Sequence, residues 1–164
     1  MTKRNGFTLI EIMVVIVILG VLAAVGVPKL FGMMAKAKAA ELSSAAGIYI
    51  HLQEVNLHHN HYVGTWKDIG YAAPGNGNSE NFGYVDCIKE KLTINSGSAS
   101  LLGWKASNRS KLNECTEHGS WIIAIDPVNE SEAHYRRTIS STSCAALTAD
   151  WTVENIDAGA CTGP

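Results

Sequence analysis

The chain has 164 residues, with 13 Lys and Arg against 15 Asp and Glu, and a net charge of −2 that carries no basic signature for nucleic acid. The length suffices for one small domain plus a long N-terminal segment. Four cysteines, all beyond residue 86, suit two disulfides in an oxidising compartment, and the lack of a C-x-x-C pair argues against a zinc ribbon or thioredoxin-type site. The near-neutral mean hydropathy averages two unlike parts. Residues 7–31 are almost wholly apolar, and the remainder is polar and rich in Gly, Ser and Asn.

The first element is a helix that starts in lipid. After the basic pair Lys3 and Arg4 comes Gly6-Phe7-Thr8-Leu9-Ile10-Glu11, and then an apolar run to Val27. Twenty-one residues from Phe7 to Val27, at about 1.5 Å each, span a bilayer core of about 30 Å. Positive residues flank both ends (Lys29, Lys36 and Lys38 on the far side), so flanking charge fixes orientation only weakly. A cleavable secretory signal cut near Ala23-Ala24 fits poorly. It would carry Glu11 inside its apolar stretch, and the helical pattern continues through Ala35-Lys36-Ala37-Lys38-Ala39-Ala40-Glu41-Leu42. A lone carboxylate in a membrane-length segment is costly and is usually functional. Gly20 and Pro28 weaken the helix; Pro28 removes a donor and crowds the carbonyl of Ala24, so a kink or locally melted turn is expected there.

Gly6-Phe7-Thr8-Leu9-Ile10-Glu11, the short basic leader, Gly20 and Pro28 together resemble the type IV pilin family. The resemblance implies a leader of residues 1–6, cut between Gly6 and Phe7 by a prepilin peptidase, and N-methylation of Phe7. It implies that Glu11 stays in the mature helix and sets the register between subunits by pairing with a neighbour's Phe7 amine. Residues 7–34 would form a transmembrane and fibre-core helix bent at Gly20 and Pro28. Residues 35–164 would form a periplasmic or extracellular domain with a C-terminal disulfide loop.

From Ala35 the pattern turns amphipathic. Ala45, Ile48, Tyr49, Leu52, Val55 and Tyr62 recur at helical steps and should pack on a sheet. Gly47, His51, Glu54, His58 and His61 take the other side. A helix from Phe7 to about His61 would be about 80 Å long, so half of it must project into lipid or a fibre. His51, Glu54, His58 and His61 invite a metal reading. His51-Leu52-Gln53-Glu54-Val55 fails the H-x-x-E-H protease pattern at Val55, however, and a solvated polar face is the better account, with no metal assigned.

Pro74-Gly75-Asn76-Gly77-Asn78-Ser79 is a turn-rich loop that does not match G-x-G-x-x-G. Gly70-Tyr71 and Pro74 are similar to the start of the pilin loop that connects helix to sheet. Strands are expected at Phe82 to Val85, Ser100 to Lys105, Trp121 to Ile125 and His134 to Ile139. In the last of these, Arg136 and Arg137 are adjacent, so one should face solvent. One long helix followed by short antiparallel strands gives an α+β fold, with the sheet laid on the amphipathic half of the helix.

Cys87, Cys115, Cys144 and Cys161 allow three pairings. Sequential pairing, Cys87 with Cys115 and Cys144 with Cys161, is expected because each bridge then closes one local segment; the second would enclose Trp151 and the loop from Val153 to Gly159. In pilins such a loop is a variable surface feature. Asp126, Asn129, Glu130 and Glu132 cluster near a turn but do not follow the EF-hand order. Asn108-Arg109-Ser110 and Asn129-Glu130-Ser131 match the N-glycosylation sequon. Lys105, Arg109, Lys111, Arg136 and Arg137 are the sole candidates for a basic stripe.

No nucleophile elbow, phosphate loop or zinc hydrolase pattern occurs, so neither an enzyme nor a cofactor is expected. The resemblance implies a structural subunit of a type IV pilus used in adhesion, twitching motility or DNA uptake. Its partners would be further copies of itself, the prepilin peptidase, the inner-membrane assembly machinery and, before assembly, membrane lipid. The second reading is a pseudopilin of a type II secretion system. Major pseudopilins of that system carry an Asp-Pro-Trp-Gly stretch, whereas here Asp126-Pro127 is followed by Val128-Asn129; this departure and the four cysteines favour the pilus.

Overall fold

The computed structural model describes residues 6–154, 156 and 161. Lys3 and Arg4 of the leader, and most of the expected loop beyond Glu154, lie outside the described residues. Backbone contacts divide the chain into two compact units, Met1–Met34 and Ala35–Pro164.

In the first unit the helix α1 (Leu9–Asn60) begins at Leu9 and continues without interruption through Gly20 and Pro28. Of the kink or locally melted turn expected at Pro28, the melted turn does not occur. A proline costs one backbone bond, and the turns on either side hold the helical path. The large apolar side chains of this stretch, from Leu9 to Met34, are exposed.

The second unit is a helix laid on a sheet. The same helix buries Ala35, Ala39, Leu42, Ala45, Ala46, Tyr49, Gln53, Asn56 and Leu57, a stripe stepping by three and four residues. The stripe departs from the expected one. Ile48 and Val55 are exposed, at 56% and 43%, and the polar Gln53 and Asn56 take the buried positions instead. Gln53 is accepted there because its amide clamps one residue of the return loop, donating to the Gly64 carbonyl at 2.5 Å and accepting from the Gly64 N–H at 3.2 Å. Asn56 donates to the Tyr62 carbonyl.

A short helix that the periodicity does not show, α2 (Trp66–Ile69), follows. Thr65 and Asp68 cap it reciprocally and Gly70 ends it at φ +68°. Pro74–Gly77 forms a 3-10 turn. The sheet then runs β1 (Phe82–Asp86), β2 (Leu101–Asn108), β3 (Ser120–Pro127), β4 (Ala133–Ile139) and β5 (Thr152–Val153), in that spatial order. The first four strands are an antiparallel meander at the expected places. The fifth, two residues long and polar in part, joins β4 in parallel. Trp121, Ile123, Trp104, Ala106, Phe82 and Tyr84 meet the helix in one core, and Tyr71 donates its hydroxyl proton to the Ala45 carbonyl while accepting from Trp104 Nε1. A Cβ at Gly103 would lie 2.5 Å from the Tyr49 hydroxyl and 2.7 Å from Ile125 Cδ1, so close approach requires glycine at that position.

The disulfides are Cys87–Cys161 and Cys115–Cys144, which corrects the sequential pairing. Strand direction supplies the reason. Asp86 pairs with Trp104 while Phe82 pairs with Asn108, so Cys87 leaves the sheet at the end opposite the β2–β3 connection that carries Cys115. Five strand residues separate those ends by about 16 Å, well beyond the ~7 Å Cα limit of a disulfide. Trp121 pairs with Ile139, which puts the end of β4, and Cys144 after it, at the same end as Cys115. Cys161 returns to Cys87, and its carbonyl accepts from Lys105 Nζ on β2.

Candidate functional site

The motif residues gather at the start of α1. Thr8 precedes the helix and Glu11 stands in its first turn. The Glu11 carboxylate accepts from the Thr8 backbone N–H at 2.8 Å and from the Thr8 hydroxyl at 2.6 Å, and Thr8 Oγ1 accepts in turn from the Glu11 N–H at 3.3 Å. This is a reciprocal capping box. It satisfies two donors that the helix start would otherwise leave open in an apolar medium, where each costs several kcal/mol. Thr8 is the capping residue that the reading of the sequence did not single out; a Thr with an acid three residues later is the signal that finds it.

Gly6 and Phe7 sit just outside the helix. A Cβ at Gly6 would meet nothing within 4 Å, and Phe7 is 78% exposed, so the backbone between them is accessible. Beyond Glu11 the helix presents Ile12, Val14, Ile16, Leu19, Val21, Leu22 and Val25 outward. Such a surface is stable only against lipid or other apolar helices. By length and composition α1 qualifies as a membrane-crossing helix.

The other candidate clusters separate into ordinary surface. His51, Glu54, His58 and His61 are all exposed; the helix ends at Asn60, and His61 turns off its face at φ +57°. Among the described residues no group of three or more His, Cys, Asp or Glu could hold a metal ion. Arg136 is bound to Asp126 and, at 2.5 Å, to Glu154, while Arg137 binds Asp150 at 2.6 Å. Arg109 donates to the Ser79 carbonyl and Lys105 to that of Cys161. The candidate basic stripe is thus largely neutralised or turned to backbone. The expectation for the two arginines holds for Arg136, which is exposed, while Arg137 is half-buried. In the acidic turn Asp126 serves Arg136, and Asn129 bonds Ser131 and Glu132. Asn108 is buried with both amide protons donated, to Ser110 and Thr116, so of the two sequons only Asn129 is open.

Comparison with known proteins gives the same emphasis. The family described as the prokaryotic N-terminal methylation motif matches residues 1–27. The chain is 44% identical over 69 residues to a type II secretion system core protein G of Dickeya chrysanthemi, covering 42% of this chain and 45% of that one. It is 65% identical over 37 residues to the core protein G of Klebsiella pneumoniae, covering 23% and 26%. It is 38% identical over 81 residues to the type IV major fimbrial protein FimA of Dichelobacter nodosus, covering 49% and 50%. The chain thus spans half or less of the length of these curated relatives. No solved structure matches it.

Proposed function

We propose that this chain, a member of the type IV pilin and pseudopilin superfamily, is a filament subunit that polymerises through the apolar half of α1. Members of this family are structural subunits and not enzymes. The observation that carries the proposal is the N-terminal motif at the head of a helix whose exposed apolar part, residues 9–34, carries one acid, held in the first turn. The steps follow from that arrangement. Residues 1–6 are removed at the open Gly6–Phe7 bond by the prepilin peptidase, leaving an amine on Phe7 that is then methylated. The helix waits in the inner membrane with residues 35–164 on the outer side. In the fibre, neighbouring helices replace lipid, and the carboxylate of Glu11 pairs with the amine of an adjacent copy, fixing axial register as a polar core residue does in a coiled coil. Intact-mass analysis of the native protein should show loss of residues 1–6 plus one methyl group; a chain beginning after Ala24 would end this reading.

Of the two filaments, we place the chain in a type IV pilus, supported by its two disulfides and by Val128-Asn129 after Asp126-Pro127. The second reading, a pseudopilin, is favoured by the core protein G relatives. Deleting the gene and measuring sheared surface filaments beside secreted proteins decides between them. Lost filaments with normal secretion support the pilus, and the reverse supports the pseudopilin.

A further inference from the structure

The two disulfides are nested, Cys115–Cys144 inside Cys87–Cys161, with sequence separations of 29 and 74. We propose that a thiol–disulfide isomerase of the oxidising compartment is a folding partner of this chain, converting sequentially paired cysteines into the nested pair. The inference rests on the export of residues 35–164 proposed above.

The argument is kinetic. A domain exported behind an N-terminal anchor presents Cys87 and Cys115 first, 28 residues apart, before Cys144 and Cys161 appear. Loop closure scales as the −3/2 power of length, so even in the complete unfolded chain Cys87 meets Cys115 about four-fold more often than Cys161. Oxidation by a disulfide-donating oxidase, which takes two electrons from each cysteine pair, therefore yields Cys87–Cys115 and then Cys144–Cys161. Neither bond fits the sheet, because Cys87 and Cys115 belong at opposite ends of it. Spontaneous correction stalls, since a chain whose four cysteines are all held in sequential bonds has no thiolate of its own to start the exchange.

The exchange balances without net electrons. An isomerase thiolate attacks Cys115 Sγ in the wrong bond, forming a mixed disulfide and releasing the Cys87 thiolate. Cys87 then attacks Cys161 Sγ, forming Cys87–Cys161 and releasing Cys144. Cys144 attacks Cys115 Sγ, forming Cys115–Cys144 and returning the isomerase thiolate.

The test expresses the full chain in a Gram-negative host with and without its disulfide isomerase, traps free thiols by alkylation, and maps disulfide peptides without reduction. The expected result is a fall of about three-fold or more in Cys87–Cys161 and Cys115–Cys144 peptides without the isomerase, with Cys87–Cys115 and Cys144–Cys161 peptides in their place. Two double variants, C115S/C144S and C87S/C161S, leave one pairing each, and their bridge should form equally in both hosts. Native pairing at the same yield in both hosts would overturn the inference and leave the filament proposal standing. A bridge that still needs the isomerase in the double variants would also overturn it, by showing that the enzyme acts as a chaperone. Free thiols throughout in both hosts would sink the export reading together with the inference.

Discussion

At the scale of single residues, the domain depends on polar groups buried where the pattern calls for apolar ones. Gln53 is fully buried and supplies both partners of Gly64, holding the chain as it leaves the helix. Gln53→Leu keeps the volume and orphans an N–H and a carbonyl, so it should cost about 3 kcal/mol in denaturant unfolding of the oxidised protein. An unchanged midpoint would show that water replaces the amide freely. Asp126 acts at the surface. Hydrogen bonding and charge from Arg136 hold its carboxyl below the ordinary 3.8. Its folded value lies below the unfolded one, so the pair's contribution is complete above pH 3.8 and disappears as pH falls through the folded value. Asp126→Asn should therefore lower stability at pH 7 by about 1 kcal/mol or less, given the exposure, and its stability-against-pH curve should meet that of the parent in acid. A gap that persists at low pH would assign the loss to packing instead.

At the scale of elements, the contact of α1 with the sheet is set by small residues. The helix offers Ala35, Ala39, Ala45 and Ala46, and the sheet offers Gly103 at the register shift between Leu102 and Trp104. Gly103→Ala forces a methyl into the Tyr49 hydroxyl and Ile125, and should cost about 2 kcal/mol with a shift of helix against strand. The cost should largely vanish in Gly103→Ala with Tyr49→Phe and Ile125→Val, where the space is returned; additive losses in that triple variant would point to backbone strain in β2. The meander was legible in chain order because each strand is a short β-rich run between turn residues. The helix β2-facing stripe was legible at Ala45, Tyr49 and Leu52, but failed at Ile48 and Val55. Hydrophobicity identifies a stripe only until polar side chains with backbone partners displace it.

At the scale of the molecule, the large apolar side chains of the first unit are exposed among the described residues, and the second unit has its own core and both disulfides. Deleting residues 1–34 should give a soluble, oxidised monomer with cooperative thermal unfolding; an aggregated or unfolded product would show that the domain core needs the earlier turns of the helix. Assembly should depend on Glu11. Glu11→Ala removes a charge from the segment and so leaves insertion intact. It also leaves the Phe7 amine of a neighbour unpaired in an apolar fibre and lets helices slide. The expected phenotype is processed subunit in the membrane with few or no fibres, and partial loss in Glu11→Asp. Parental fibre yield from Glu11→Ala would leave the Thr8–Glu11 cap as a purely local device.

What the sequence determined by itself lies in the first 30 residues and in the order of the strands. The match to the prokaryotic N-terminal methylation motif and a membrane-length apolar run are contiguous, and neither needs a tertiary partner to be read. The capping box of Thr8 and Glu11 is equally local. The cysteine pairing belongs to tertiary structure, since a bridge joins residues by position and not by separation along the chain. Strand parity nonetheless held the answer: in a meander the ends after β2 and β4 coincide, and those are the places of Cys115 and Cys144. Only the folded chain decided that the two-residue β5 would lie parallel beside β4. Two residues of strand carry no periodicity, and their position follows from the sheet edge that β4 offers them.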